Sequence, residues 1–119
     1  MSESPTGKLL VSLFQIPEDY RAQLEKFALA TKVSINTCIL NALDDYLNLP
    51  QSQQPKPTLP KVPLRAFTVR TTSPMKQSII QCAAMWQLKS AFPTSMNAVV
   101  NTAILTYLQK NIQGYQPPF

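Results

Sequence analysis

The chain has 119 residues, a formal net charge of +5 and a pI of about 9.4, a length that suits one compact domain or two small fused units. It has no His, two distant cysteines (Cys38 and Cys82) without a CxxC, and two glycines (Gly7 and Gly114). Zinc sites, Ser-His-Asp and Cys-His catalysis and a glycine-rich phosphate loop are thereby excluded, and neither an enzyme nor a cofactor is expected.

The opening MSESPTGK lacks the basic-then-apolar order of a signal peptide, and no run approaches the roughly 18 to 20 apolar residues of a membrane span, so a soluble cytoplasmic protein is expected. LLVSLFQI (9–16) predicts a short strand. PEDYRAQLEKFALA (17–30) predicts a helix with Pro17 at its first position, acids in the first turn, and Tyr20, Leu24, Phe27 and Ala28 on one face. SINTCILNALDDYL (34–47) predicts a second, amphipathic helix whose stripe is Ile35, Ile39, Ala42, Leu43, Tyr46 and Leu47. Five prolines (Pro50, Pro55, Pro57, Pro60 and Pro63) then mark residues 49–63 as an extended, semi-rigid linker. At about 3.1 Å per residue it would reach roughly 40 to 45 Å.

Beyond it, RAFTVRT (65–71) predicts another strand. A helix follows with Ser73 as N-cap, Pro74 next, and Met75, Ile79, Cys82 and Ala83 on one face. A longer turn carries Trp86, Phe92 and Pro93, read as filling over the core with a docking role as the alternative. SMNAVVNTAILTYL (95–108) predicts the last helix, with Met96, Val100, Ala103, Ile104, Tyr107 and Leu108 as its stripe, and IQGYQPPF ends the chain as a flexible tail. Both cysteines lie within helical patterns and read as buried free thiols, a disulfide between them being the alternative.

The chain repeats itself. One offset of 61 places residues 34–47 over 95–108 and matches Ser34/Ser95, Asn36/Asn97, Tyr46/Tyr107 and Leu47/Leu108, while the preceding helices match at an offset of 55. A strand and two helices cannot bury a core alone, but two such units can if their strands pair and their helices pack beneath. The reading is mostly α with a two-stranded antiparallel ribbon, an intramolecular pseudodimer of two fused units: 8–48, the linker 49–63, 64–110, and the tail 111–119. The halves have diverged in charge. Residues 1–50 hold six acids and four bases, net −2, whereas 51–119 hold seven bases and no acid, net +7. A basic half of this kind points to a polyanionic partner.

With VSINTCI (33–39) and TSMNAVV (94–100) opening the second helices, the pattern resembles the ribbon-helix-helix superfamily of DNA-binding proteins, the Arc, MetJ and CopG group, and within it the tandem single-chain members of which the conjugation protein TraY is the familiar kind. The resemblance covers about residues 8–48 and 64–110. It implies a ribbon in the major groove of double-stranded DNA and second-helix N-termini on phosphates. Ser34, Asn36, Thr37, Ser95 and Asn97 occupy the matching phosphate positions, with Lys8, Lys61 and Arg65 flanking; Ser34 and Ser95 also read as simple N-caps, and the two roles are compatible.

Counting back from Pro17 in the family register buries Ser12, Phe14 and Ile16 and turns Val11, Leu13 and Gln15 outward. The second strand buries Phe67, Val69 and Thr71 and presents Ala66, Thr68 and Arg70. Thr68 and Arg70 suit base readout. Val11 and Leu13 lack hydrogen-bonding capacity: they meet thymine methyls, or the register slips by one to present Ser12 and Phe14, or this face meets protein. Lys32 stands where the family often has a left-handed glycine, a local cost of about 1 kcal/mol.

These implications converge on a sequence-specific regulator of transcription, a repressor, able to self-associate on neighbouring half-sites. The alternatives are an accessory factor for plasmid transfer, partition or transposition, and a protein-interaction module, antitoxin or adaptor, using the first strand or the tail from Tyr115 to Phe119.

Overall fold

Two short runs rich in β-branched and aromatic residues, and apolar stripes at helical spacing in four other segments, produce a two-stranded antiparallel sheet and four helices. The order is β1 (Leu9–Pro17), α1 (Glu18–Thr31), α2 (Ile35–Leu47), a 3-10 turn (Gln51–Gln53), β2 (Leu64–Thr72), α3 (Ser73–Ser90) and α4 (Met96–Asn111). The structure is a computed structural model and describes residues 9–90 and 93–119. Phe92 and Lys8 therefore lie outside the described residues.

β1 pairs along its whole length with β2, from Leu9 opposite Thr72 to Pro17 opposite Leu64. The sheet is thus made between residues 47 to 63 positions apart, not by a hairpin. Its inner face carries Ser12, Phe14, Ile16, Val69 and Thr71, all buried, with Phe67 half-buried; the unslipped register holds. Beneath it α1 lies against β1 and α3 against β2, while α2 reaches β2 and α4 reaches β1. Each second helix therefore packs on the strand of the other half, and α2 and α4 pack on each other, with Ile39, Ala42, Leu43, Val100, Ala103 and Ile104 buried in the shared core.

Local details differ from expectation at the starts of α1 and α3, while the left-handed position expected at Lys32 is present. Pro17 is the N-cap of α1, still extended at φ −63° and ψ 149°, because it ends a strand one residue before the helix begins. α3 starts at Ser73 itself, and its cap is Thr72, whose Oγ1 accepts from the Met75 N–H at 3.2 Å. Lys32 closes α1 in the left-handed region at φ 59°, and its N–H reaches back to the carbonyls of Ala28 and Leu29.

Larger departures concern the linker, the last helix and the tail. Residues 49–63 do not run free. Pro57 is buried, the Thr58 N–H donates to Thr102 Oγ1 at 2.8 Å, and the Tyr46 hydroxyl donates to the Pro55 carbonyl at 2.6 Å. Gln54 is held at both ends of its amide: Nε2 donates to the Tyr46 carbonyl at 3.0 Å, and Oε1 accepts from Trp86 Nε1 at 2.9 Å. Covered in this way, α4 is buried on every side from Ala98 to Ile104, Asn101 and Thr102 included, where one apolar stripe was expected. The tail also returns to the fold: the half-buried Tyr115 donates its hydroxyl to Asp19, and the Phe119 ring tilts against Tyr20 with centroids 5.9 Å apart. Both cysteines are buried free thiols, so no disulfide joins them. Burial pushes both thiols up from their ordinary value, which keeps them unreactive.

Candidate nucleic-acid interface

With one face of the ribbon on the core, strand alternation sends the other to solvent. Three cross-strand rows make up its centre: Gln15 across from Ala66, Leu13 across from Thr68, and Val11 across from Arg70. All six are exposed, Val11 by 67 % and Leu13 by 66 %. Neither strand contains an acid, and among the described residues neither Arg65 nor Arg70 has an ion-pair partner. Ion pairs among the described residues include Arg21 with Glu25 along α1 and Lys110 with Asp45 between α4 and α2. The face is therefore cationic at one end and apolar along β1.

The positions flanking it separate into two kinds. Arg65 shares the inner-face alternation of Phe67 but stands exposed at the end of the ribbon, opposite Ile16, so it belongs to the flank and not to the outward rows. Lys61 is exposed just before β2.

Helix α2 begins at Ser34, whose Oγ accepts from the Thr37 N–H at 3.0 Å and donates to Thr37 Oγ1 at 2.9 Å. Helix α4 begins the same way, Ser95 Oγ accepting from the Ala98 N–H at 3.0 Å. The capping role assigned to both serines is thus present. A cap of this kind satisfies one first-turn amide and leaves others facing outward, the arrangement that attracts an anion. Ser34 and Thr37 are exposed there.

Asn36 and Asn97, expected among the phosphate contacts, also bond the ribbon. Asn36 bonds the edge of β2 with both ends of its amide, Oδ1 accepting from the Arg70 N–H at 2.8 Å and Nδ2 donating to the Arg70 carbonyl at 3.1 Å. Asn97 Oδ1 accepts from the Gln15 N–H at 3.2 Å, and Asn101 Nδ2 donates to the Gln15 carbonyl at 2.8 Å. Each side chain thus satisfies an unpaired strand edge, which would otherwise offer a template for further pairing. The Asn36 amide is engaged at both ends and that of Asn97 through its oxygen. The Ser-x-Asn spacing that marked these helices in sequence does not reveal the Asn partners, because those partners lie on the other half of the chain. Asn101 was missed altogether, hidden inside an apolar stripe.

No protein-family model, curated protein or solved structure matches this chain. Among the described residues no cluster of metal-binding side chains occurs, and no helix is long and apolar enough to cross a membrane.

Proposed function

We propose that this chain is a sequence-specific double-stranded DNA-binding protein, a fused pair of ribbon-helix-helix units acting as a transcriptional repressor. The observation that carries the reading is the symmetry of the ribbon. The offset of 55 that superimposes the first helices in sequence also maps Gln15 to Arg70, Leu13 to Thr68 and Val11 to Ala66. Applied to the strand pairing it returns the same ladder, with the Leu13 and Thr68 row at its centre. The asparagine clamps are exchanged in the same sense: Asn36 and Asn97, related by the offset of 61, hold Arg70 and Gln15, related by that of 55. Two halves related in this way present a two-stranded ribbon, which fits a major groove, between two outward-facing helix N-termini.

Charge supports the same partner. Acids are missing from the ribbon and from the whole of residues 51–119, while Lys61, Arg65 and Arg70 are exposed around it. Fluorescence anisotropy with labelled duplexes tests the reading. Binding is expected to weaken with salt at a slope of about −0.9 in log K per neutralised phosphate, and Arg70→Ala is expected to lower specific affinity by about 1–3 kcal/mol. Failure to retain any duplex from a random library would rule the reading out. An accessory role in plasmid transfer, partition or transposition uses the same interface, and gene neighbourhood separates it from repression.

One observation favours a second reading, a protein-binding module such as an antitoxin or adaptor: Leu9, Val11 and Leu13 form an exposed apolar row on β1. Pull-down with Val11→Ser and Leu13→Ser distinguishes it, since a protein partner is lost by these changes while phosphate-dependent DNA affinity persists. The tail is the poorer docking element, because Tyr115 and Phe119 already pack on Asp19 and Tyr20.

A further inference from the structure

The outward rows of the ribbon are equivalent by position and different in chemistry. The row on one side of the Leu13 and Thr68 centre offers the Gln15 carboxamide beside the Ala66 methyl. Its counterpart on the other side offers the Arg70 guanidinium beside the Val11 isopropyl group. A carboxamide matches the donor and acceptor pair of adenine in the major groove, whereas a guanidinium matches the two acceptors of guanine. The methyl-bearing neighbour in each row suits a thymine methyl.

These two polar residues are also the ones whose backbones are tied down. The N–H and carbonyl of Arg70 both bond Asn36, in the first turn of α2. The N–H of Gln15 bonds Asn97, in the first turn of α4, and its carbonyl bonds Asn101 one turn later. Asn101 also donates to the Asn97 carbonyl at 2.8 Å, so the two clamps on Gln15 form one unit. Each side chain therefore leaves the sheet from a fixed point, at a set distance from a helix end, and less freedom is lost when it meets a base. Thr68 and Leu13, at the centre, have no such tie among the described residues.

Resting on the DNA-binding reading above, we propose that Gln15 and Arg70 are paired specificity determinants of an asymmetric operator, Gln15 reading adenine and Arg70 reading guanine at mirror-related positions about its centre. The two half-sites then differ in base while sharing spacing, and the protein binds such a site in one orientation only.

Selection of the full-length chain from a random-sequence duplex library, followed by anisotropy on the selected duplexes, tests this. The unaltered protein is expected to select adenine on one arm and guanine on the other, each favoured over a wrong base by roughly 5- to 150-fold. Gln15→Arg is expected to convert the adenine arm to guanine, and Arg70→Gln the guanine arm to adenine, giving near-palindromic sites of opposite kind. A new preference cannot arise from a misfolded protein, and should either exchange fail to fold, Gln15→Ala and Arg70→Ala are each expected to relax one arm only. If a specific site is selected but the exchanges leave both arms unchanged, or alter the same arm, the pairing of readers is overturned and DNA binding stands. If no duplex is retained, both fall.

Discussion

At the scale of single residues, the asparagines at the helix starts do more for this fold than their half-exposed positions suggest. Asn36→Ala removes two hydrogen bonds and strands the N–H and carbonyl of Arg70 at a sheet edge. A loss of about 1–2 kcal/mol is expected, read as a lower urea midpoint with an unchanged slope. Lys32 offers a change of opposite sign. Its φ of 59° is strained for any residue with a Cβ, so Lys32→Gly is expected to raise stability by about 0.5–1 kcal/mol, the relief exceeding glycine's greater loss of chain entropy. Thermal melts of the two variants side by side should move in opposite directions. Of these two positions only Lys32 was legible in the sequence, because its role is local, whereas Asn36 acts on a strand thirty-four positions away.

Among the elements, the segment between the halves matters most, because it converts two similar helices into different ones. α2 keeps an exposed face at Thr37, Asn41, Asp44 and Asp45, but on α4 the residue matching Asn41 is Thr102, buried and bonded to Thr58. Proline spacing made this segment legible as extended. It gave no hint of docking, because the contacts are made by backbone groups and by Gln54, residue types common in loops that face water. Gln54 joins the segment to Trp86, the only tryptophan of the chain, through the 2.9 Å bond to its indole. Gln54→Ala leaves a buried N–H without its partner and is expected to destabilise by about 1–3 kcal/mol. A shift in Trp86 emission in the folded variant would tie that loss to this contact, and an unchanged spectrum with unchanged stability would show the segment to be loosely held.

For the molecule as a whole, burial acts on every phenol together. All four tyrosines are raised above their ordinary value, with loss of hydration the largest cause in each; Tyr20 is pushed up to about 12, and Asp19 adds to the effect there. A phenol whose folded value exceeds its unfolded one contributes stability that is complete below about pH 10 and is lost as pH climbs through the folded value. Stability is therefore expected to fall between about pH 10 and 12, and absorbance at 295 nm should show phenolate appearing late and together with loss of the circular-dichroism signal. Independent titration near pH 10 with the fold intact would contradict the burial of these rings. Tyr115 and Tyr20 make this a property of the whole chain, since the tail anchors on the first helix.

Which residues leave the ribbon outward was implied by the family register, with a one-residue slip open until burial of Ser12, Phe14 and Ile16 decided it. The sequence by itself determined the elements, their order and the apolar stripes of α1, α2 and α3. These follow from periodicity, which is a property of neighbouring residues and is written along the chain. Tertiary structure decided which half each asparagine serves, the docking of the linker on α4, the return of the tail to α1, and the burial of Asn101 and Thr102. Each of these depends on a contact between segments far apart in sequence, whose polar groups look like surface until a distant backbone supplies their partner.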